Sequence, residues 1–490
     1  MAVKDTTTSQ TRGLRRNAIG LREVLFQSIT DMAPGAAIAA SIPAGVAFAA
    51  GSLPLAVIFA LVACLFCAVS IGLLAREMPS AGSLATYAAR GLHPAIGFLV
   101  AWGYVLVGFL IPPLVLLQLG FTTAATINAE WSSYPASLWW PWALAGAVIV
   151  LAAGFYGIRT SARLGTVLGT FEIGVFLVLA VFFVVHAGSN NTLSVFTTKY
   201  TPPGFHGLTG IIGGSVYTIL AFGGFEGAAP LAEEARNPRR TIPRAVLLAT
   251  LLIGLLYVFT TYAVDVAYGP AKFGSFTTGT GAASWEGMAR SLYGLFWFFV
   301  FLAIVNSTIA NANAGVNVSS RTAYAMGRIG AFPRFLAQVH PKHHSPALAI
   351  VTGFVITVAV TLGLGLGYGA TTAFVMVATA LVIVLAAIYI VMNAACIGFF
   401  ARATRRPNPV LWLAIPILGI ITFVPAWLTS AGIKAFSFVA PLSPPYSYLG
   451  PGVAGWMVAG LIYLLYLYRR DPRRVVEVGL VHLDPLEEYE

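Results

Sequence analysis

Two apolar segments of the chain are each interrupted by glycine and proline, a pattern that can expose backbone groups for binding. They read SITDMAPGAAIAASIPAGVAFAAG over residues 28–51 and GSVYTILAFGGFEGAAPL over residues 214–231. An interrupted helix frees N–H groups on one half and C=O groups on the other. Free N–H groups attract a carboxylate, whereas free carbonyls attract an ammonium group or a metal cation. Small side chains let the backbone touch the ligand. The pattern therefore predicts a site with backbone ligands.

Carboxyl groups inside apolar segments are candidates for chemistry that involves a proton or a cation. Glu172 lies within GTFEIGVFLVLAVFF, and Glu226 ends the second interruption. An apolar environment penalises a charged carboxylate, so such a residue can gain and lose a proton. A structural hydrogen bond to a neighbouring helix explains either residue equally, and both interpretations stay open. We expect Glu23 and Asp31, near basic residues, to form salt bridges at a gate or surface.

The stretch NSTIANANAGVN, over residues 306–317, is unusually polar for an apolar segment. Ser307 and Thr308 are candidate hydroxyl ligands for a coupling cation. Polar side chains also join helices to one another inside membranes, and this structural role is the alternative.

The composition places most of the chain in lipid. Of the 490 residues, 58% are hydrophobic and 9% are charged, and the mean hydropathy is +0.83. A soluble domain carries about 25% charged residues. Only helix bundles and closed barrels cross a bilayer. Long continuous apolar runs, such as Leu53–Leu74 and Ala380–Phe400, favour helices over alternating strands. The sequence therefore predicts an all-α, multi-pass protein of the plasma membrane.

Twelve apolar runs are long enough to cross the bilayer, over residues 25–50, 54–75, 95–127, 140–157, 164–187, 208–232, 244–268, 291–320, 347–366, 370–400, 409–430 and 452–468. With a cytoplasmic N-terminus, basic residues gather in the inner segments. The exceptions among 28 Lys and Arg are Lys199, Lys272, Arg290 and Lys434. We therefore predict twelve transmembrane helices with both termini cytoplasmic. The net charge of +11 then reflects topology, and no nucleic-acid partner is predicted.

The interrupted segments open two successive groups of five runs, and an odd number of spans inverts the second group. Corresponding broken helices in two halves are typical of inverted-repeat transporters, whose site lies at the midplane. The predicted parts are a cytoplasmic tail (1–23), a five-helix repeat (24–187), an inverted five-helix repeat (208–400), two further helices (409–468) and a cytoplasmic tail (469–490).

Four stretches, in order, resemble the amino acid–polyamine–organocation (APC) superfamily of transporters. They are LLAREMPSAGSLATYAARGLHPAIGFLVAWGY (73–104), YGIRTSARLGTV (156–167), FGGFEGAAPLAEEARNPRRTIPRA (222–245) and VNVSSRTAYAMGRIGAFPRFLAQVHPKHHSPALA (316–349). The similarity extends over about residues 20–400. It implies the five-plus-five inverted-repeat (LeuT-like) fold with two extra C-terminal helices.

The resemblance also implies where a substrate binds. A substrate carboxylate is expected on N–H groups of the first break, and an ammonium group near carbonyls of the second, with an aromatic ring above it. The corresponding residues here are Ala36, Ala37, Ile38 and Ala39, and Leu220, Ala221, Phe222 and Gly223. Amino acid transporters of the family usually carry G-S-G-like residues in the first helix. Because alanines replace them here, substrates without a carboxylate stay open.

Ion coupling is implied at four residues, Glu172, Glu226, Ser307 and Thr308. Proton-coupled members have a lysine where Glu172 stands, so the lysine's role does not carry over unchanged, and the ion is a proton or sodium. We predict a secondary active transporter, or permease, for an amino acid or related small amine. The alternatives are an amine carrier or exchanger of this fold and, from another class, an intramembrane enzyme. No catalytic or nucleotide motif favours an enzyme, and no cofactor or metal site is predicted.

Overall fold

The structure is a computed structural model that describes residues 19–80, 82–156, 161–277, 281, 283–328, 334–338, 347–471, 473 and 475. Within these ranges the regular secondary structure is helical, apart from an isolated bridge between Ile19 and Ala235, and turns and loops connect the helices. The longer helices are α1 (Leu21–Met32), α2 (Leu53–Glu77), α3 (Ser83–Gly91), α4 (Pro94–Glu130), α5 (Trp140–Tyr156), α6 (Ser161–Ala187), α7 (Leu208–Phe222), α8 (Pro238–Tyr268), α9 (Trp285–Tyr293), α10 (Phe296–Arg328), α11 (Ala347–Tyr368), α12 (Ala370–Arg402), α13 (Ile415–Ala431) and α14 (Leu449–Arg470).

Ten helical segments in the described ranges are long and apolar enough to cross a membrane. The fifth helix, α5, is shorter, and the first predicted run is divided into α1 and several short helical pieces. The chain is therefore an all-helical, multi-pass membrane protein, as predicted. The count of twelve spans, the cytoplasmic position of both termini and the division into repeats stay predictions.

The first helix is interrupted at a single residue, Ala33. Its φ of 46° and ψ of 66° are left-handed, and the chain resumes a helix at Pro34. Proline suits a first helical position because it has no N–H group to leave unpaired. The helix continues through a π-helical turn, Ala37–Ser41. We predicted an interruption over Pro34–Ala40; that stretch is wound, and the break lies one residue earlier because one left-handed residue suffices to redirect the helix.

The second interruption follows α7, where it was predicted. Gly223 is extended, with ψ of 128°, and Gly224 has φ of 109°. The chain then forms a 3-10 helix, Phe225–Leu231. Position 224 requires glycine for two reasons, its positive φ and the 2.6 Å that would separate a Cβ from the carbonyl carbon and oxygen of Asp31.

Hydrogen bonds join α1 to the segment that follows the second break. Ser28 Oγ donates a hydrogen bond to the carbonyl of Phe225 at 2.9 Å and accepts one from the N–H of Ala228 at 3.0 Å. Further along, the N–H of Arg236 donates to the carbonyl of Ile19 at 2.9 Å. The segment after the second break is therefore bonded to the middle of α1 and to the residue that precedes it.

Candidate functional site

A cavity lies between the two helix breaks and is bordered by α4, α10 and α12. Its lining includes backbone and side chains of both interrupted helices. Among the described residues that line it, two carry carboxyl groups, Asp31 and Glu226, and none is lysine, arginine or histidine. The uncharged polar residues that line it are Ser41, Tyr104, Gln118 and Asn311. A cavity with this lining is suited to a cation.

Glu226 is a buried carboxylate that neutral donors surround. It is 1% exposed and accepts hydrogen bonds from the hydroxyl of Tyr389 at 2.9 Å and that of Tyr104 at 3.4 Å. The N–H of Gly224, freed by the break, donates to it at 3.1 Å. The N–H group that the break frees at Gly224 is therefore a donor to Glu226. Three donors lower the cost of burying this carboxylate without a basic partner.

Asp31 lies at the cavity, and the prediction of a gate or surface salt bridge for it is wrong. Its Oδ1 accepts a hydrogen bond from Gln27 Nε2 at 3.0 Å, and no ion pair to it occurs in the described residues. Asp31 is the penultimate residue of α1 and faces the second helix break. The basic residues near it in sequence lie at the other end of α1, several helical turns away.

Two carbonyls at the second break, those of Leu220 and Ala221, have donors within the protein. The hydroxyl of Tyr257 lies 3.0 Å from the carbonyl oxygen of Ala221 and 3.1 Å from that of Met32, so it bridges both interruptions. The N–H of Gly223 donates to the carbonyl of Leu220 at 2.8 Å. Buried carbonyls need such partners, and here the protein itself supplies them.

Two amide side chains satisfy the carbonyls around the first break. Asn311 Nδ2 donates to the carbonyl of Asp31 at 2.5 Å, and Gln118 Nε2 donates to that of Ala36 at 2.9 Å. They come from α10 and α4, so helices far apart in sequence hold the break in place. Asn311 belongs to the polar stretch of residues 306–317, where it turns away from lipid.

The predicted substrate-binding residues divide into two groups. Those that line the cavity are Ala36, Ala37, Leu220, Ala221 and Gly223. Those that are buried and do not line it are Ile38, Ala39 and Phe222. The ring of Phe222 packs edge-on against Tyr257, with 5.3 Å between ring centroids, and therefore does not cover the cavity. Binding by the residues of the first group stays a prediction.

Glu172 lies behind the first helix break and is not among the residues that line the cavity. It is 2% exposed, and its carboxylate lies beside the N–H of Gly35 and the side chain of Ser307. Glu172 Oε2 and Ser307 Oγ nevertheless make no hydrogen bond of standard geometry with the described residues. Thr308 differs, because its hydroxyl donates to the carbonyl of Val305 at 2.9 Å. Glu172 therefore lies beside the first interrupted helix and α10, and its role in ion coupling stays a prediction.

A family model described as "Amino acid permease" matches residues 23–470. The chain belongs to the amino acid permease family, within the APC superfamily. The match extends from the start of α1 to the end of α14 and so includes both helix breaks.

Named relatives of this permease act on different substrates. It is 30% identical over 435 residues to the low-affinity putrescine importer PlaP of Escherichia coli strain K12, with 84% of this chain and 85% of the relative covered. It is 23% identical over 449 residues to the branched-chain amino acid permease BcaP of Bacillus subtilis, with 86% and 87% covered. The permease is thus similar both to an amine importer and to an amino acid permease.

Several polar residues of the permease site were missed from the sequence. They are Tyr104, Gln118, Tyr257 and Tyr389, each within a long apolar helix. No motif marks them, and the available signal was a single hydrogen-bonding side chain in an apolar run. Their roles arise from α4, α8 and α12 converging on the breaks, which sequence spacing does not reveal.

Proposed function

We propose that this permease is a secondary active transporter that carries an amino acid or a small amine across the plasma membrane by proton symport with alternating access. The observation that carries the proposal is the cavity between the two helix breaks, where Asp31 and Glu226 are the charged lining residues. An ammonium group, which amino acids and amines share, is a suitable ligand for such a cavity. The similarity to a putrescine importer and to a branched-chain amino acid permease supports the same two substrate classes, amines and amino acids.

Alternating access requires helices around the site to move against the rest of the bundle. In this proposal α1 turns about Ala33 and takes the Phe225–Leu231 segment with it, because Ser28 bonds the two together. Loss of the contact between Asp31 and Asn311 then opens a path from the cavity to the side of the membrane where α1 begins.

Glu172 carries the coupling proton in this proposal. Movement of α1, which packs against the helix that carries Glu172, changes the surroundings of its carboxyl group, so the affinity for a proton differs between the two facings. Such a difference is what allows an ion to shift a conformational equilibrium. The competing assignment is a sodium ion between Glu172, Ser307 and Thr308. Glu226 is the second candidate for the proton.

Uptake by the purified protein in proteoliposomes tests these assignments, with proton and sodium gradients imposed separately and a panel of labelled amino acids and amines. We expect an inward proton gradient to drive accumulation without sodium. Glu172→Gln keeps the shape of the side chain but cannot lose a proton. We expect this variant to retain exchange of substrate and to lose acceleration by the proton gradient.

Asp265→Asn is the matched control, since Asp265 is a fully buried carboxyl group of α8 that does not line the cavity. It is expected to respond to the proton gradient as the wild type does. If uptake requires sodium at every pH, the competing assignment holds, and Glu172, Ser307 and Thr308 bind sodium. Proton-driven accumulation by Glu172→Gln makes Glu172 a structural residue. If no compound of the panel is transported, the proposed function is wrong.

A further inference from the structure

We infer that Asp31 binds the ammonium group of the substrate, and that the substrate is a small organic amine without a carboxylate. The inference rests on the proposed function and narrows its substrate range. It follows from the hydrogen-bond acceptors and donors around the cavity, counted over the described residues.

Five backbone carbonyls at the cavity already have a donor within reach. The carbonyls of Met32 and Ala221 both lie near the hydroxyl of Tyr257, which has one proton to donate. Those of Leu220 and Ala36 accept from the N–H of Gly223 and from Gln118 Nε2, and that of Asp31 accepts from Asn311 Nδ2. An ammonium group has three donors and binds a carboxylate more strongly than a neutral carbonyl. The side chains of the two lining carboxylates are therefore the strongest acceptors in the described lining.

Asp31 and Glu226 differ in how far the protein has satisfied them. Glu226 accepts three hydrogen bonds and is almost completely buried. Asp31 accepts one, from Gln27 to Oδ1, and no donor to Oδ2 is present in the described part of the chain. Asp31 is also less buried than Glu226. Asp31 is a lining residue of the cavity, and its less satisfied carboxylate is therefore the preferred partner for an ammonium group.

A substrate carboxylate, by contrast, has few partners here. Pro34 has no N–H group, the N–H of Ala37 donates to the carbonyl of Ala33 at 2.9 Å, and that of Gly35 points to Glu172. Glu172 thus fills the place that an anionic ligand takes at the start of a helix. No basic side chain from the described residues lines the cavity, and two carboxylates there repel a third.

Matched compounds that differ by one carboxylate provide the decisive test. Putrescine is compared with ornithine, and 3-methylbutylamine with leucine, as competitors in counterflow by the wild-type protein in proteoliposomes without an ion gradient. We expect each amine to compete at a concentration at least tenfold lower than its amino acid. The same amines, added to the protein in detergent, should raise its melting temperature more than the amino acids do.

Asp31→Asn then tests the named residue, with Asp265→Asn as the matched control. We expect Asp31→Asn to weaken competition by amines at least tenfold while Asp265→Asn leaves it within twofold. Should Asp31→Asn fail to fold, the wild-type comparison of matched compounds still decides the substrate class, and Asp31→Glu, which keeps the charge, is used to show rescue of amine binding.

The outcomes separate the inference from the proposed function. Equal or better competition by ornithine and leucine overturns the inference and leaves the transporter in place. An Asp31→Asn variant that is folded and binds amines like the wild type overturns the role of Asp31. If neither amines nor amino acids show counterflow, the proposed function is contradicted, and the inference is wrong as well.

Discussion

The carboxylate of Asp31 lies directly over the Cα of Gly227, so closely that a Cβ at position 227 would overlap Asp31 Oδ2. The end of α1 and the segment after the second break therefore meet through a residue without a side chain. The Asp31 carboxylate takes the space that the missing side chain of Gly227 leaves free.

Gly227→Ala is expected to displace the Asp31 carboxylate without changing the charge of the site. The apparent KM for a transported amine should rise at least tenfold, because the ammonium group loses its partner. The measurement is initial uptake in proteoliposomes. Gly363→Ala is the control, since a Cβ there meets no atom within 4 Å. An unchanged KM in Gly227→Ala contradicts the placement of Asp31.

Gly223→Leu is expected to abolish uptake by filling the cavity. Gly223 lines the cavity with a φ of −53°, which any residue adopts, but a Cβ would lie 3.1 Å from Leu385 Cδ1. A larger side chain must therefore extend into the binding space. Monodisperse elution in detergent shows that the variant is folded. Normal transport by a folded variant would mean that Gly223 does not border the substrate-binding space.

Tyr389→Phe is expected to destabilise the protein by about 1–3 kcal/mol, the cost of removing a donor from a buried acceptor. Tyr389 donates to Glu226 at 2.9 Å, whereas Tyr104 does so at 3.4 Å. Tyr104→Phe should therefore cost less. Thermal unfolding in detergent measures both variants, and the reverse order argues that Glu226 does not depend on Tyr389.

Ser28→Ala is expected to loosen α1 from the segment after the second break, because both hydrogen bonds of the hydroxyl are lost. Amide hydrogen exchange over residues 21–32 should become faster while exchange in α12 stays unchanged. Thr170→Ala, which removes a hydroxyl bonded within its own helix, is the control. Unaltered exchange in α1 shows that other contacts hold it.

Glu286, in the short helix α9, gives the protein a pH-dependent stability. Burial raises the pKa of Glu286 to about 7 from an ordinary value of 4.5, against a smaller opposite effect of the hydrogen bond from Thr126. The folded state then keeps a proton that the unfolded chain releases. The contribution of Glu286 to stability is therefore greatest below pH 4.5. It falls by up to about 3 kcal/mol as the pH rises to about 7 and does not change further above that.

The charged group facing Glu286 is Arg290, with its Nη2 at 3.5 Å, and Arg290 is itself paired with Glu130 on α4. Glu286→Gln removes the titrating carboxyl group and keeps the space filled. We expect its melting temperature to change less between pH 4.5 and 7 than that of the wild type. The same slope in both proteins means that another group causes it.

The sequence by itself determined the environment and the places where helices break. A chain of this size cannot bury so many long apolar runs away from water. The composition therefore predicted that most of the chain lies in lipid and is helical. The break at Gly223 and Gly224 was equally readable, because two adjacent glycines followed by an acid and a proline do not suit a continuous helix. The first break was located one residue late, since no sequence signal marks alanine at position 33 as left-handed.

Only the tertiary structure decided which groups meet at the breaks. Local sequence placed Asp31 near arginines, yet the structure places it in the lining of the cavity, with its carboxylate packed on Gly227. Tyr257 and Asn311 satisfy carbonyls more than 200 residues away along the chain. The physical reason is that hydrogen bonds between helices depend on how the helices pack and rotate, whereas composition and periodicity report only that a residue is in lipid or in a helix.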